Sequence, residues 1–328
     1  MVAIFQNKLD RVNFIETLVI TKTRIISIPL DLWVFSNLKT LNLSGNNIQQ
    51  IPIWISNLQN LCFLDLSLNK IRMIDNICPL NTLRVLNLSQ NLIKKLPDHF
   101  STLTSLSKLN LSQNCLPSES LRKFGDHPEL EVLDLSQMKR SSLKGKIYGL
   151  NGLSNLRQLN LSNNSITSWD NCISSTLETL DVSSNQLTKL PSALTTLANL
   201  RSLRVSNNRI KDLPSSIHLL TKLEEFLLVS NFVALLPVTI GNMTQLKELD
   251  ITSNPNFNFI PPGITRCNSL NLITDKSRTN EKHKKKVLLD GSELVKKVSD
   301  TPAIHKLRIV VIGNVGSGKS TLINNISS

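Results

Sequence analysis

Leucine and isoleucine recur along this chain in a fixed frame, LxxLxLxxNxI/L, in which single apolar positions alternate with polar ones and an asparagine closes each block. The frame runs Leu38-Leu41-Leu43-Asn46-Ile48, Leu61-Leu64-Leu66-Asn69-Ile71, Leu83-Leu86-Leu88-Asn91-Ile93 and Leu106-Leu109-Leu111-Asn114-Leu116. It resumes at Leu156-Leu159-Leu161-Asn164-Ile166 and passes through Asn185, Asn208 and Asn231 to Leu246-Leu249-Ile251-Asn254. A weaker copy, Ile15-Leu18-Ile20, has Thr23 in place of the asparagine, and another, Leu130-Leu133-Leu135, has Met138. About eleven units result, mostly about 22 to 24 residues apart. Alternation with period two predicts a short strand whose two leucines point inward. One such strand buries only one edge of a core, so the units must stack. The asparagine amide is expected to satisfy backbone groups that stacking would bury, which Thr23 and Met138 cannot do in the same way.

Several units continue as LPxxI/LxxL, at Leu96-Pro97, Leu190-Pro191, Leu213-Pro214 and Leu236-Pro237. Proline at a first helical position followed by apolar residues at helical spacing predicts a short helix or 3₁₀ turn behind each strand. The period fails between Asn114 and Asn164, where a lengthened basic loop carries Lys139, Arg140, Lys144 and Lys146. A tolerated insertion on one edge is the expectation there, with a docking loop or a hinge as the functional alternative.

These blocks resemble the leucine-rich repeat over roughly residues 12–275. The resemblance implies an α/β solenoid, a horseshoe with parallel strands on its concave face. The LP-type continuation resembles intracellular Ras-associated repeat proteins and the arrays of Roco proteins. On the concave face the middle outward position runs Asn42, Asp65, Asn87, Asn110, Asp134, Asn160 and Asp181, then changes to Arg204 and Leu227 before Asp250. Leu227 with Val229 places an exposed apolar pair beside a guanidinium, residue types that interfaces favour. Arg204, Glu225, Leu227 and Val229 are therefore the candidate protein-docking patch.

Composition narrows the classes. Apolar residues make up 40% and aromatics 4%, so the core must be aliphatic. The net charge is +13, much of it local, with ten Lys/Arg against four Asp/Glu between Lys276 and Arg308, and the basic run Lys282 to Lys286 has no aromatic interleaving. Nucleic-acid recognition by stacking is not expected. The start of the chain lacks a basic segment followed by an apolar run, and no stretch approaches 18 uninterrupted apolar residues, so neither export nor a membrane contact is expected. Five cysteines stand apart without CxxC spacing, and five histidines are equally scattered. Neither a disulfide framework nor a metal site is indicated, and the expected compartment is the cytoplasm.

The stretch KLRIVVIGNVGSGKSTLINNI near the end has different chemistry. Leu307 to Ile312 reads as a buried strand, GNVGSGKS fits GxxxxGK[ST], and a helix-like pattern begins at Thr321. Gly313, Gly316 and Gly318 let backbone N–H groups approach phosphate oxygens. Asn314, Val315 and Ser317 fill the loop, Lys319 would reach the β- and γ-phosphates, Ser320 would ligand Mg²⁺, and Thr321 opens the helix.

Repeats, a basic linker and then this motif, in that order, resemble the repeat-to-Roc junction of the Roco family. That resemblance implies leucine-rich repeats over 1–275, a basic linker over 276–305, and the start of a P-loop GTPase domain, strand–loop–helix, over 306–328. It further implies GTP or GDP with Mg²⁺ as cofactor of a complete GTPase domain, and a small GTPase or other signalling protein as partner. No DxxG or NKxD-type segment follows the loop, so nucleotide chemistry is expected to belong to a longer chain, with a protein kinase as one further possibility. The expected function is that of a protein-interaction and regulatory arm; the alternative is a free-standing adaptor resembling Ras suppressors.

Overall fold

The computed structural model describes residues 15–125, 127–139, 142–169, 174–275 and 308–312. The chain divides into two compact units, Met1–Leu177 and Glu178–Ser328.

In the first unit the repeats supply three-residue strands: β1 Thr17–Val19, β2 Thr40–Asn42, β3 Phe63–Asp65, β4 Val85–Asn87, β5 Lys108–Asn110 and β6 Val132–Asp134. After β7 (Lys144–Ile147) come β8 (Gln158–Asn160) and β9 (Ser165–Trp169). β1 to β6 pair in parallel in chain order and β8 follows β6, with repeat leucines in register, as in Leu41↔Leu64↔Leu86↔Leu109↔Leu133↔Leu159. The second unit repeats the arrangement with β10 Thr179–Asp181, β11 Ser202–Arg204, β12 Glu225–Leu227, β13 Glu248–Asp250, β14 Asn271–Asp275 and β15 Arg308–Ile312, paired in parallel in that order. Thus the cap-like stretch after Asn254 contributes a strand, β14, beyond the eleven repeat units. The strand expected before the phosphate loop forms as β15, and it extends the sheet of the second unit, covering backbone groups that β14 would otherwise leave at an edge.

Three residues per strand cannot hold a sheet alone, so stability comes from what stacks behind it. Leu41, Leu64, Leu86, Leu109, Leu133 and Leu159 are all buried, as are Leu180, Leu203, Phe226, Leu249 and Leu272. Each such side chain contributes about 1.5–3 kcal/mol on burial.

The asparagine ladder forms as expected. Nδ2 of Asn69 donates to the carbonyls of Leu43 in the previous repeat (3.0 Å) and Leu66 in its own (3.1 Å), while its Oδ1 accepts the Ile48 N–H at 2.9 Å. Asn91, Asn114, Asn208, Asn231 and Asn254 repeat this geometry. At the two departures the neighbouring asparagine compensates: Asn46 Oδ1 accepts the Thr23 N–H and hydroxyl, and Asn164 Oδ1 accepts the Met138 N–H. The residue before the ladder position turns left-handed in unit after unit, as at Leu68 (φ 55°) and Ser230 (φ 55°), and only Gly45 there is a glycine.

Of the short helix or 3₁₀ turn expected behind the strands, the described residues show 3₁₀ turns of three to seven residues, such as Ile53–Asn57 and Ser215–Leu219, and no α-helix. Two expectations change. Proline precedes several of these turns rather than opening them: Pro52, Pro191, Pro214 and Pro237 are extended in ψ, and their carbonyls accept the N–H three residues on. Proline has no N–H to give but a full carbonyl, so it serves as the cap. The basic insertion also gains structure. β7 pairs in parallel with β9, with a register shift at Gly145/Lys146, and the Ser118 hydroxyl bonds the Lys144 carbonyl at 2.7 Å. Lys139 reaches back to the Asn91 carbonyl at 2.8 Å.

Candidate functional site

Strand register brings the predicted patch together. Arg204 on β11 lies directly beside Leu227 on β12, which in turn lies beside Asp250 on β13 and, one strand further, Ile273 on β14. One outward step towards the strand starts, the row is Thr179, Ser202, Glu225, Glu248 and Asn271. Alternation dictates the sorting: Leu203, Phe226 and Leu228 point into the core, leaving 204, 225, 227 and 229 on the open face.

The side chains differ from the expectation in two respects. Leu227 and Val229 are half-buried rather than exposed, because strands 4.7–4.9 Å apart let flanking side chains lean against them. Arg204 is not a free guanidinium. Its Nε donates to Glu225 Oε1 at 2.6 Å and a terminal nitrogen to Oε2 at 3.4 Å. That bond and the charges of Glu225, Asp181 and Glu248 raise the Arg204 pKa despite some desolvation. Beside this face a second ladder links Arg201 to Glu224 at 2.5 Å and Glu224 to Lys247, so both of those cations are already engaged.

Asp181 and Asp250 also shape the chain: one carboxylate oxygen of Asp250 accepts the Thr252 N–H (2.9 Å) and hydroxyl (2.8 Å), and Asp181 accepts the Ser183 N–H (2.8 Å). A single oxygen is enough for each turn, and the negative charge stays on the outward face.

The periodicity did not reveal a second apolar surface in the same unit. Val238 (73% exposed), Leu235 (50%) and Phe232 (44%) lie beyond the strand ends, and Leu235 forms a parallel bridge with Phe259. The signal was present as apolar residues at repeat positions filled elsewhere by Arg209, Asp212 and Ser215.

Two buried thiols are poor nucleophiles. Burial, helped by the Asp75 charge, pushes the Cys78 thiol up to about 11, and burial raises Cys267 as well, so neither is a nucleophile at neutral pH. Among the described residues no group of three or more His, Cys, Asp or Glu could hold a metal ion, and no helix is long and apolar enough to cross a membrane. The predicted phosphate-binding positions Gly313, Asn314, Val315, Gly316, Ser317, Gly318, Lys319, Ser320 and Thr321 lie outside the described residues, as does Arg140 of the insertion.

Comparison with known proteins agrees with this geometry. Family models described as "Leucine rich repeat" match residues 15–76, 81–139 and 155–175, and one described as "Leucine-rich repeat region" matches 175–260. No curated protein matches the chain significantly. Among solved structures, an internalin (inlF) from Listeria monocytogenes is 25% identical over 82% of this chain and 77% of its own, with a TM-score of 0.68. A repeat protein of Leptospira interrogans is 22% identical over 82% of this chain and 80% of its own (TM-score 0.58). A chain of the octameric complex of Latrophilin 3, Unc5D and FLRT2 (LRR) is 20% identical over 88% and 87% (TM-score 0.67).

Proposed function

The chain is a leucine-rich-repeat protein, and from that premise we propose that the outward strand face of its second unit is a docking site for a protein partner, centred on Arg204, Glu225, Leu227 and Val229. The observation that carries this reading is the break in the row of polar outward residues: between the two ends of the array, Val19 and Ile273, Leu227 stands where the other units carry Asn, Asp or Arg, with Val229 two residues on. Aliphatic side chains on a face that repeat geometry keeps open are the residues a partner would cover. A structural neighbour with the same fold is part of a complex with two other proteins, which fits this use.

Pull-down with Leu227→Arg tests the proposal. Partner capture is expected to fall at least about tenfold while the circular dichroism spectrum is unchanged, whereas Leu235→Arg, on the separate apolar surface, leaves capture intact. Capture that survives Leu227→Arg and disappears in Leu235→Arg would move the docking site to the Phe232–Leu235 surface.

The finer reading belongs to the same proposal: the array is the interaction and regulatory arm of a Roco-like GTP-binding signalling protein in the cytoplasm. Its support is the order of repeats, basic linker and GNVGSGKS, together with cysteines that are free at Cys62, Cys78, Cys115 and Cys267. Lys319 and the backbone of Gly313–Ser320 would hold the phosphates of GTP or GDP, and Ser320 the Mg²⁺. Binding of a fluorescent GTP analogue by the full-length protein is expected to be lost in Lys319→Ala. Binding indifferent to that substitution overturns the assignment.

A further inference from the structure

Negative charge gathers on the docking face around aliphatic side chains. Along the outward positions of β10 to β14 stand Asp181, Glu225, Glu248, Asp250 and Asp275, against the single cation Arg204. Arg204 is itself bonded to Glu225, which leaves the remaining four carboxylates of β10 to β14 in excess; Arg308 on β15 comes beside Asn271 only at the end of the row. The direction in which Arg204 titrates reports the same field, since Asp181 and Glu248 as well as Glu225 favour its charged form. The aliphatic residues are interleaved with the acids: Leu227, Asp250 and Ile273 are successive members of one row, so Asp250 sits between two apolar side chains roughly 10 Å apart.

The first unit lacks this excess of carboxylates. Its middle outward residues are Val19, Asn42, Asp65, Asn87, Asn110, Asp134 and Asn160, and Lys108 adds a positive charge. Nor does overall charge explain it, because the chain carries +13 in total. An acidic face on a basic protein repels anionic surfaces locally and attracts cations, and charge complementarity of this kind sets partner choice and association rate.

We propose that the partner of this face is a cationic protein segment in which Lys or Arg residues flank one aliphatic side chain. The aliphatic group rests on Leu227, Val229 and Ile273, and the flanking cations meet Asp181, Glu248 and Asp250. This inference rests on the docking reading above and adds the chemistry of the partner. The Arg204–Glu225 pair sits at the border of the site, where it excludes a cation from one side and so fixes the direction in which the segment lies.

A random dodecapeptide library displayed on phage and selected on the full chain at low salt is the test. Recovered peptides are expected to carry three or more Lys or Arg around a Leu, Ile or Val. A synthetic copy should bind about tenfold more weakly in 0.5 M salt, and about tenfold more weakly to the double variant Glu248→Gln/Asp250→Asn. The Asn at position 250 keeps the oxygen that Thr252 bonds, so this variant removes charge without removing the turn. Peptides without cations, lost in Leu227→Arg and indifferent to the charge-removing pair, overturn the cationic partner and leave the docking face standing. Peptides indifferent to both variants, or the recovery of no binder, overturn the docking face as well.

Discussion

The Cβ that Gly241 lacks would fall 2.0 Å from the carbonyl oxygen of Gly263. The two glycines belong to successive 3₁₀ turns, Val238–Asn242 and Pro262–Arg266, whose backbones approach each other behind β13 and β14. At that distance a methyl group cannot be accommodated by a side-chain rotation, because the obstacle is backbone. Gly241→Ala is therefore expected to destabilise the second unit by about 1–3 kcal/mol through a forced backbone shift. Urea unfolding of the variant against the parent measures it; equal midpoints would contradict the close approach.

Asn231 carries the ladder at the docking strand. It is buried, its Oδ1 accepts the Ile210 N–H at 3.1 Å, and its Nδ2 donates to the carbonyls of Val205 and Leu228, each at 3.0 Å. Asn231→Ala leaves these backbone groups buried and unpaired, at a cost of about 2–4 kcal/mol. The midpoint of thermal unfolding reads the loss. Lys211, exposed in the preceding repeat, is the control position, where substitution by Ala should leave the midpoint nearly unchanged.

Leu68 marks a place where the parent sequence is not optimal. Its φ of 55° lies in the left-handed region, its side chain is 47% exposed, and its N–H is held by the Ser89 carbonyl at 2.9 Å. Asparagine tolerates that conformation, and Asn163 and Asn207 occupy the equivalent positions of other repeats. Leu68→Asn is expected to stabilise the first unit by about 0.5–1 kcal/mol. Denaturant unfolding with an unchanged m-value would confirm it.

His127 makes the first unit sensitive to acid. The ring is fully buried against Phe100 and Phe124, with centroids 5.3 and 6.4 Å away; Nδ1 bonds the Phe124 carbonyl and Nε2 has no partner. Burial disfavours the imidazolium and holds the pKa below its ordinary value of 6.5, although the bond to the Phe124 carbonyl partly opposes it. A lowered folded pKa means that the unfolded chain binds the proton first. Stability is thus full above pH 6.5 and declines as the pH falls from there towards the folded pKa. His127→Leu, which takes up no proton, should lack this decline between pH 6.5 and 5. A parent protein with a flat profile over that range would refute it.

Arg204 and Glu225 form an ion pair whose side chains are 46% and 27% exposed. Screening at such a site keeps its worth small, so Arg204→Gln should change stability by less than about 1 kcal/mol. The same substitution removes the face's only cation among β10 to β14 and is expected to tighten binding of a cationic peptide. Isothermal titration at two salt concentrations separates that electrostatic gain from a packing effect.

The docking residues show how far a repeat period can be read and where it stops. Arg204, Leu227 and Val229 stood out because the frame assigns every residue a direction, and register in the structure places them side by side as that frame requires. Their state was not legible: the pairing of Arg204 with Glu225 and the half-burial of Leu227 depend on side chains supplied by residues about one repeat away. The Phe232–Leu235–Phe259 surface escaped for the same reason, since what matters there is which apolar residues two adjacent repeats bring to one edge.

The sequence by itself determined the phase of the repeats, the inward leucines and the asparagine ladder. A period of about 23 residues makes each position its own neighbour in the next unit, and hydrogen-bond bookkeeping leaves the buried amide one place to go. Tertiary structure alone decided the rest: the β7–β9 pairing of the insertion, the Gly241–Gly263 approach, the left-handed turn at Leu68 and the excess of carboxylates around Leu227. Each of these is a relation between residues that the period brings within reach but whose distance, conformation and charge balance it does not specify.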